Sequence, residues 1–115
     1  MPYRWQPLAT TTGLDLVRQR GNAGDLDGLV ALYESDAVLA VPGGTLASGA
    51  DAIRQELRRF LDGRPTLSGE SQHALRFGDL ALTSTRFDGG TTAEVARRQL
   101  DGTWLWVIDQ PRVLG

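Results

Sequence analysis

The sequence predicts an α+β domain, with three helices first and a meander of antiparallel strands after them. Two observations carry that reading. Apolar residues recur at helical spacing in blocks between Thr12 and Asp62, and the pattern changes to period two from Thr66 onward. The second half is also cut by Gly78-Asp79, Gly89-Gly90 and Asp101-Gly102, dipeptides of the kind that reverse a hairpin.

The elements follow in order. Prolines at 2 and 7 disfavour a long helix in Met1–Thr12, where Tyr3 and Trp5 predict an arm that packs on something. A first helix starts near Thr12 and runs through Leu14, Val17 and Arg18 to a stop at Gly21-Asn22 and Gly24. Asp25 is a good N-cap for a second helix, because its carboxylate accepts from orphan backbone N–H groups. Leu26, Leu29, Val30, Leu32 and Tyr33 make its apolar face. Residues 37–41 read as a short buried strand ended by Pro42-Gly43-Gly44. The third helix starts after Ser48 or Gly49, carries Ile53, Leu57, Phe60 and Leu61, and ends at Asp62-Gly63. Strands are then expected over 71–77, 80–87, 92–100 and 103–110, the last stopped by Pro111.

Composition narrows the function classes. The chain has 115 residues, which fits one domain with its own core. It contains no cysteine, so disulfides, thiolate nucleophiles and cysteine zinc sites are excluded, and one histidine cannot build a multi-histidine metal site. No cofactor is expected. All 12 basic residues are arginine, which removes Schiff-base and P-loop lysines. A formal charge of −2 argues against a nucleic-acid footprint, and the apolar runs are too short to span a membrane. With no targeting segment read in the sequence, a cytoplasmic location is expected.

Several stretches carry a resemblance. The run from Asn22 to Tyr33, then Asp36-Ala-Val-Leu, Pro42-Gly and Gly49-Ala-Asp-Ala-Ile-Arg54, resembles the SnoaL-like group. That group belongs to the cone-fold superfamily of ketosteroid isomerase and nuclear transport factor two. Phe77-Gly-Asp-Leu-Ala-Leu82 and residues 101–109 fit it as well. The resemblance implies helices packed in a strongly curved, mostly antiparallel sheet (a cystatin-like cone), a pocket, and a homodimer formed sheet to sheet. It also locates the isomerase's three polar positions, which here hold Val17, Val41 and Ala96. An oxyanion hole needs donors aimed at the developing charge, and these side chains have none, which argues against ketosteroid-type isomerisation.

Strand register extends the reading. If Asp101-Gly102 is a two-residue loop, Arg98 faces Leu105, Ala96 faces Val107 and Glu94 faces Asp109. The resemblance turns the Ala96 face inward. Glu94, Arg98 and Asp109 then form the polar end of the cavity, with Leu100, Leu105 and Val107 as its apolar wall. Two carboxylates across one strand pair raise at least one pKa unless a cation separates them, and Arg86 is the candidate cation. Tyr33, Val41, Phe60 and His73 complete the candidate pocket. The opposite face carries Val95, Arg97, Trp104, Trp106 and Ile108. Two tryptophans on an uncovered sheet face predict burial against a second copy.

Three functions remain open: a binding domain for a small, mainly apolar ligand; an enzyme with Asp109 as acid or base, assisted by Arg86 or His73; and a dimerisation module whose cone is filled by its own side chains.

Overall fold

The fold is known from a computed structural model, which describes residues 13–64 and 69–113. The expected arm, with Tyr3 and Trp5, lies outside the described residues.

Helix α1 spans Gly13–Asn22 and α2 spans Leu26–Val30. Asp25 caps α2 by accepting from the Gly28 backbone N–H at 2.9 Å. A Cβ on Gly28 would stand 2.2 Å from the Asp25 carboxylate oxygen, so a larger residue there would have to displace the capping side chain. The helix is shorter than its apolar spacing predicts. The Leu32 carbonyl accepts from the Trp106 N–H at 2.9 Å, and Tyr33 pairs with Trp106. Sheet pairing thus takes the last turn away from the helix, and Tyr33 opens strand β1, Tyr33–Val41.

Strand β2, Thr45–Ser48, was not expected; it returns along β1 through the turn at Pro42-Gly43-Gly44. Helix α3, Ala50–Asp62, follows from Gly49 as predicted. Ile53 is wholly buried and Leu57 and Leu61 pack beside the core, while Phe60, in the last turn, is exposed.

The second half is built of β3 (Glu70–Ser71), β4 (Leu75–Phe77), β5 (Leu80–Thr83), β6 (Thr85–Phe87), β7 (Gly90–Arg98) and β8 (Trp104–Val113). Two of the expected strands are each broken in two. The sheet runs β2-β1-β8-β7-β5-β4, with β6 also on β7 and β3 on β6. Only β1 and β8 run parallel among these pairs. Gly78-Asp79 closes a two-residue hairpin, with Phe77 opposite Leu80.

The β7–β8 hairpin departs from expectation at two points. Its loop covers residues 99–103, closed by Gln99 N–H to Thr103 O and Gly102 N–H to Gln99 O. Arg98 therefore faces Trp104, and Ala96 faces Trp106. Between the Ala96–Trp106 and Val95–Ile108 pairs, Val107 is an extra residue, a β-bulge. Beyond it the register is the expected one, with Glu94 opposite Asp109. Pro111 does not end β8, because a second irregularity absorbs the missing N–H.

This register corrects the assignment of faces. Trp104 and Trp106 are 2% and 4% exposed and sit in the interior with Leu16, Leu29, Leu32, Ala81 and Ala96. They are not on the outer face. Leu105, expected on the inner wall, pairs with Arg97 on the side away from the tryptophans and is 7% exposed, while Val107 and Ile108 line a groove on the outer side. Leu100 is fully exposed in the loop.

Candidate functional site

The polar end of the interior is assembled on the central strands. Alternation along β7 points Thr92, Glu94 and Ala96 the same way, and Thr83 and Thr85 on β5 and β6 share that face. Asp109 enters from β8 between Glu94 on one side and buried Leu39 of β1 on the other. Tyr33 lies at the start of β1 with its ring centroid 5.7 Å from that of Trp106.

Their hydrogen bonds fall in two sets, brought side by side by the Glu94–Asp109 strand pair. The Tyr33 hydroxyl donates to Asp109 Oδ2 at 2.5 Å. Thr83 Oγ1 donates to Glu94 Oε1 at 2.7 Å and accepts from Trp106 Nε1 at 3.4 Å. Glu94 is 8% exposed, and Asp109 keeps part of its surface open. No arginine is recorded as bonded to either carboxylate among the described residues.

The electrostatics follow from that arrangement. Burial, and then the neighbouring Asp109, push Glu94 up to about 7, although the Thr92 and Thr83 hydroxyls pull the other way. Burial raises Asp109 to about 6 against the stabilising Tyr33 hydrogen bond. Tyr33 is raised well above the ordinary phenol value, by burial first and by Asp109 next, so it remains a donor. Glu94 therefore keeps its proton to near neutral pH, while Asp109 gives up its own at about 6. Such a pair can act as acid and as base on a molecule that reaches it.

Other predicted residues stand elsewhere. Arg86 is exposed, one residue along from inward-facing Thr85, with Glu70 and Thr91 as its strand partners. Phe87 pairs with Gly90, so the turn is at Asp88-Gly89 and the register carries Arg86 away from Glu94. The proposed Arg86–Glu94–Asp109 cluster is therefore not formed. Arg98 is exposed and its Nη2 pairs with Asp79 Oδ1 at 2.5 Å. His73 is exposed beyond β3, near the Gln72 N–H to Ser84 O contact. Val41 packs beside the separate cluster of Ala37, Leu39, Ala47 and Ile53.

Sequence reasoning missed Thr83 and Trp106 as members of this group. The bulge hid Trp106. Thr83 had a usable signal, since it precedes the break between β5 and β6 on the strand that flanks β7. Among the described residues, no three His, Cys, Asp or Glu side chains could hold a metal ion, and no helix is long and apolar enough to cross a membrane.

Solved structures with this architecture are numerous. A ketosteroid isomerase-like protein from Erwinia carotovora atroseptica is 17% identical, with 82% of this chain and 85% of that one covered at a TM-score of 0.66. A protein of the NTF2-like family from Streptomyces avermitilis is 17% identical over 87% and 91% of the two chains, also at 0.66. A Nostoc punctiforme protein of unknown function with a cystatin-like fold is 20% identical over 83% and 80%, at 0.61. At these identities the likeness establishes the fold. No curated protein matches the chain. The SnoaL-like domain model matches residues 15–114, nearly the full length described here, and the chain belongs to that family.

Proposed function

We propose that this domain binds a small, mainly apolar molecule in the hollow between helices and sheet and moves a proton on it. Asp109 is the base and Glu94 the neighbour that stays protonated beside it. The supporting observation is the Glu94–Asp109 pair itself, face to face on neighbouring strands, each carboxyl accepting from a hydroxyl. A pair of acids desolvated in this way is costly to folding, and groups so perturbed gather at sites of chemistry. The absent polar groups at Val17, Val41 and Ala96 keep the reaction distinct from ketosteroid isomerisation.

The test uses 2-tetralone, an apolar ketone with exchangeable α-hydrogens, in D2O followed by proton NMR. The wild type accelerates α-hydrogen exchange, and Asp109→Asn lowers that rate at least 100-fold. Equal rates for the two proteins would refute Asp109 as the base.

A second reading is favoured by Trp104 and Trp106, which occupy interior volume expected to be open. In it the domain is a dimerisation module with a filled cone. Failure of 2-tetralone to perturb Trp106 fluorescence at millimolar concentration selects this reading.

In either case we propose a second copy of the chain as partner, seated on the outer sheet face. Leu80, Leu82 and Ile108 are each more than 40% exposed there, beside Val95 and Val107. Asp36 and Arg97 flank the same groove, of about 360 Å³. A patch that carries both an acid and a base can be self-complementary about a two-fold axis.

A further inference from the structure

We propose that Asp88 is a site of covalent modification. Its side chain closes on the Gly89 backbone nitrogen, and the turn between β6 and β7 passes from an aspartyl to an isoaspartyl linkage. The reaction is independent of the acid pair.

An Asp-Gly step favours this closure, because the attacking nitrogen belongs to a residue with no Cβ to shield it. The chain has four such steps, Asp27-Gly28, Asp62-Gly63, Asp88-Gly89 and Asp101-Gly102. Each aspartate follows a large apolar residue, leucine in three cases and Phe87 in the fourth. Local sequence therefore makes the four nearly equivalent, and only the fold tells them apart.

At three of them the attacking nitrogen is already engaged. The Gly28 N–H donates to Asp25 Oδ1 at 2.9 Å, the Gly63 N–H to the Arg59 carbonyl at 3.3 Å, and the Gly102 N–H to the Gln99 carbonyl at 2.9 Å. Two of the carboxylates are held as well. Asp27 Oδ1 lies 2.7 Å from Arg54 Nη1, and Asp101 Oδ1 accepts from the Thr103 N–H at 3.0 Å and from its hydroxyl at 2.5 Å. The Asp88 carboxylate and the Gly89 N–H have no such partner among the described residues. Both residues are exposed, in the turn between the paired Phe87 and Gly90. Closure at Asp88 thus breaks no hydrogen bond, whereas at the other steps it must first break one or more.

The chemistry balances with water alone. The Gly89 nitrogen gives up its proton and attacks Cγ of the neutral Asp88 carboxyl. The new C–N bond closes a five-membered succinimide, and one carboxyl oxygen leaves as water with that proton. Water then opens the ring at either carbonyl. Cleavage at Cγ restores aspartate; cleavage at the main-chain carbonyl leaves the backbone running through Cγ, as isoaspartate. Nothing is oxidised or reduced, and the net composition is unchanged. The product carries one extra methylene in the main chain of the turn that sets the Phe87–Gly90 and Arg86–Thr91 pairs.

The experiment ages the wild-type protein at pH 6 and 37 °C, folded in one sample and denatured in guanidinium chloride in another. Peptide fragments whose ions distinguish the two linkages report isoaspartate at each of the four steps. In the folded protein the rate at Asp88 is expected to exceed each of the other three at least tenfold. In denaturant the four rates should fall within threefold of one another. A lead of less than tenfold in the fold overturns the proposal, as does the absence of isoaspartate at Asp88 over a time in which the denatured chain accumulates it. A tenfold lead that persists in denaturant overturns it too, since the selectivity would then lie in the local sequence and not in the freed amide.

Discussion

Glu94→Gln isolates the energetics of the acid pair. The substitution removes the ionisable proton and leaves an oxygen to accept from Thr83. In the unfolded chain Glu94 titrates near 4.5, and in the fold near 7. Between those values the native state holds a proton that the unfolded state has released, so stability falls as pH rises through this window. The span from 4.5 to about 7, at about 1.36 kcal/mol per pH unit, amounts to about 3 kcal/mol. That stability is present below pH 4.5 and gone above pH 7. The variant lacks the penalty. Its stability relative to wild type should therefore improve by about 3 kcal/mol between pH 4.5 and pH 8, with most of the change between pH 5 and 7. Surface pairs such as Glu34–Arg97 titrate in both proteins and cancel in the difference. Urea unfolding read by the fluorescence of buried Trp104 and Trp106 measures it, at one protein concentration throughout. With slopes of about 1–3 kcal/mol per molar urea, the midpoints should diverge by about 1–3 M. Midpoints that stay parallel from pH 4.5 to 8 would refute the raised titration of buried Glu94.

Three further outcomes follow from the same geometry. Tyr33→Phe deletes the donor that holds Asp109 down, so Asp109 should titrate above its present value of about 6, as carboxyl carbon NMR would register. Trp104→Ala should cost about 3–5 kcal/mol in chemical denaturation, the range for a large buried aromatic, whereas a tryptophan on the outer face would cost far less in the monomer. Ile108→Asp puts a charge on the outer sheet face, so sedimentation equilibrium should find the variant monomeric where the wild type is dimeric, and a monomeric wild type at micromolar concentration removes the proposed partner.

The helices and turns were legible because their determinants are local. Asp25 caps α2, Gly49 precedes α3, and Gly78-Asp79 reverses the chain, each through groups a few residues apart. What was not legible depends on partners distant in sequence. Tyr33 reads as the end of a helix until β8 claims it, and β2 is recognisable only beside β1. The acids were placed correctly opposite each other, while the cation assigned to them was not, because the turn at Asp88-Gly89 moves Arg86 by enough to change its face.

The bulge at Val107 is what allows the site to exist. In a regular strand, positions 104, 106, 108 and 110 share one face and 105, 107 and 109 share the other. Such a strand turns either the tryptophans inward or Asp109 inward, never both. One extra residue breaks the alternation, so Trp104, Trp106 and Asp109 all face the interior while Ile108 turns out. Each half then needs the other. The Trp106 indole supplies the N–H that meets Thr83, and Thr83 in turn donates to Glu94. Trp106 also packs near the Tyr33 ring whose hydroxyl meets Asp109, and it helps keep water from the two carboxyls. Burial is the largest cause of both raised pKa values, so the irregularity that brings an apolar wall beside two acids also sets the pH range in which they exchange a proton.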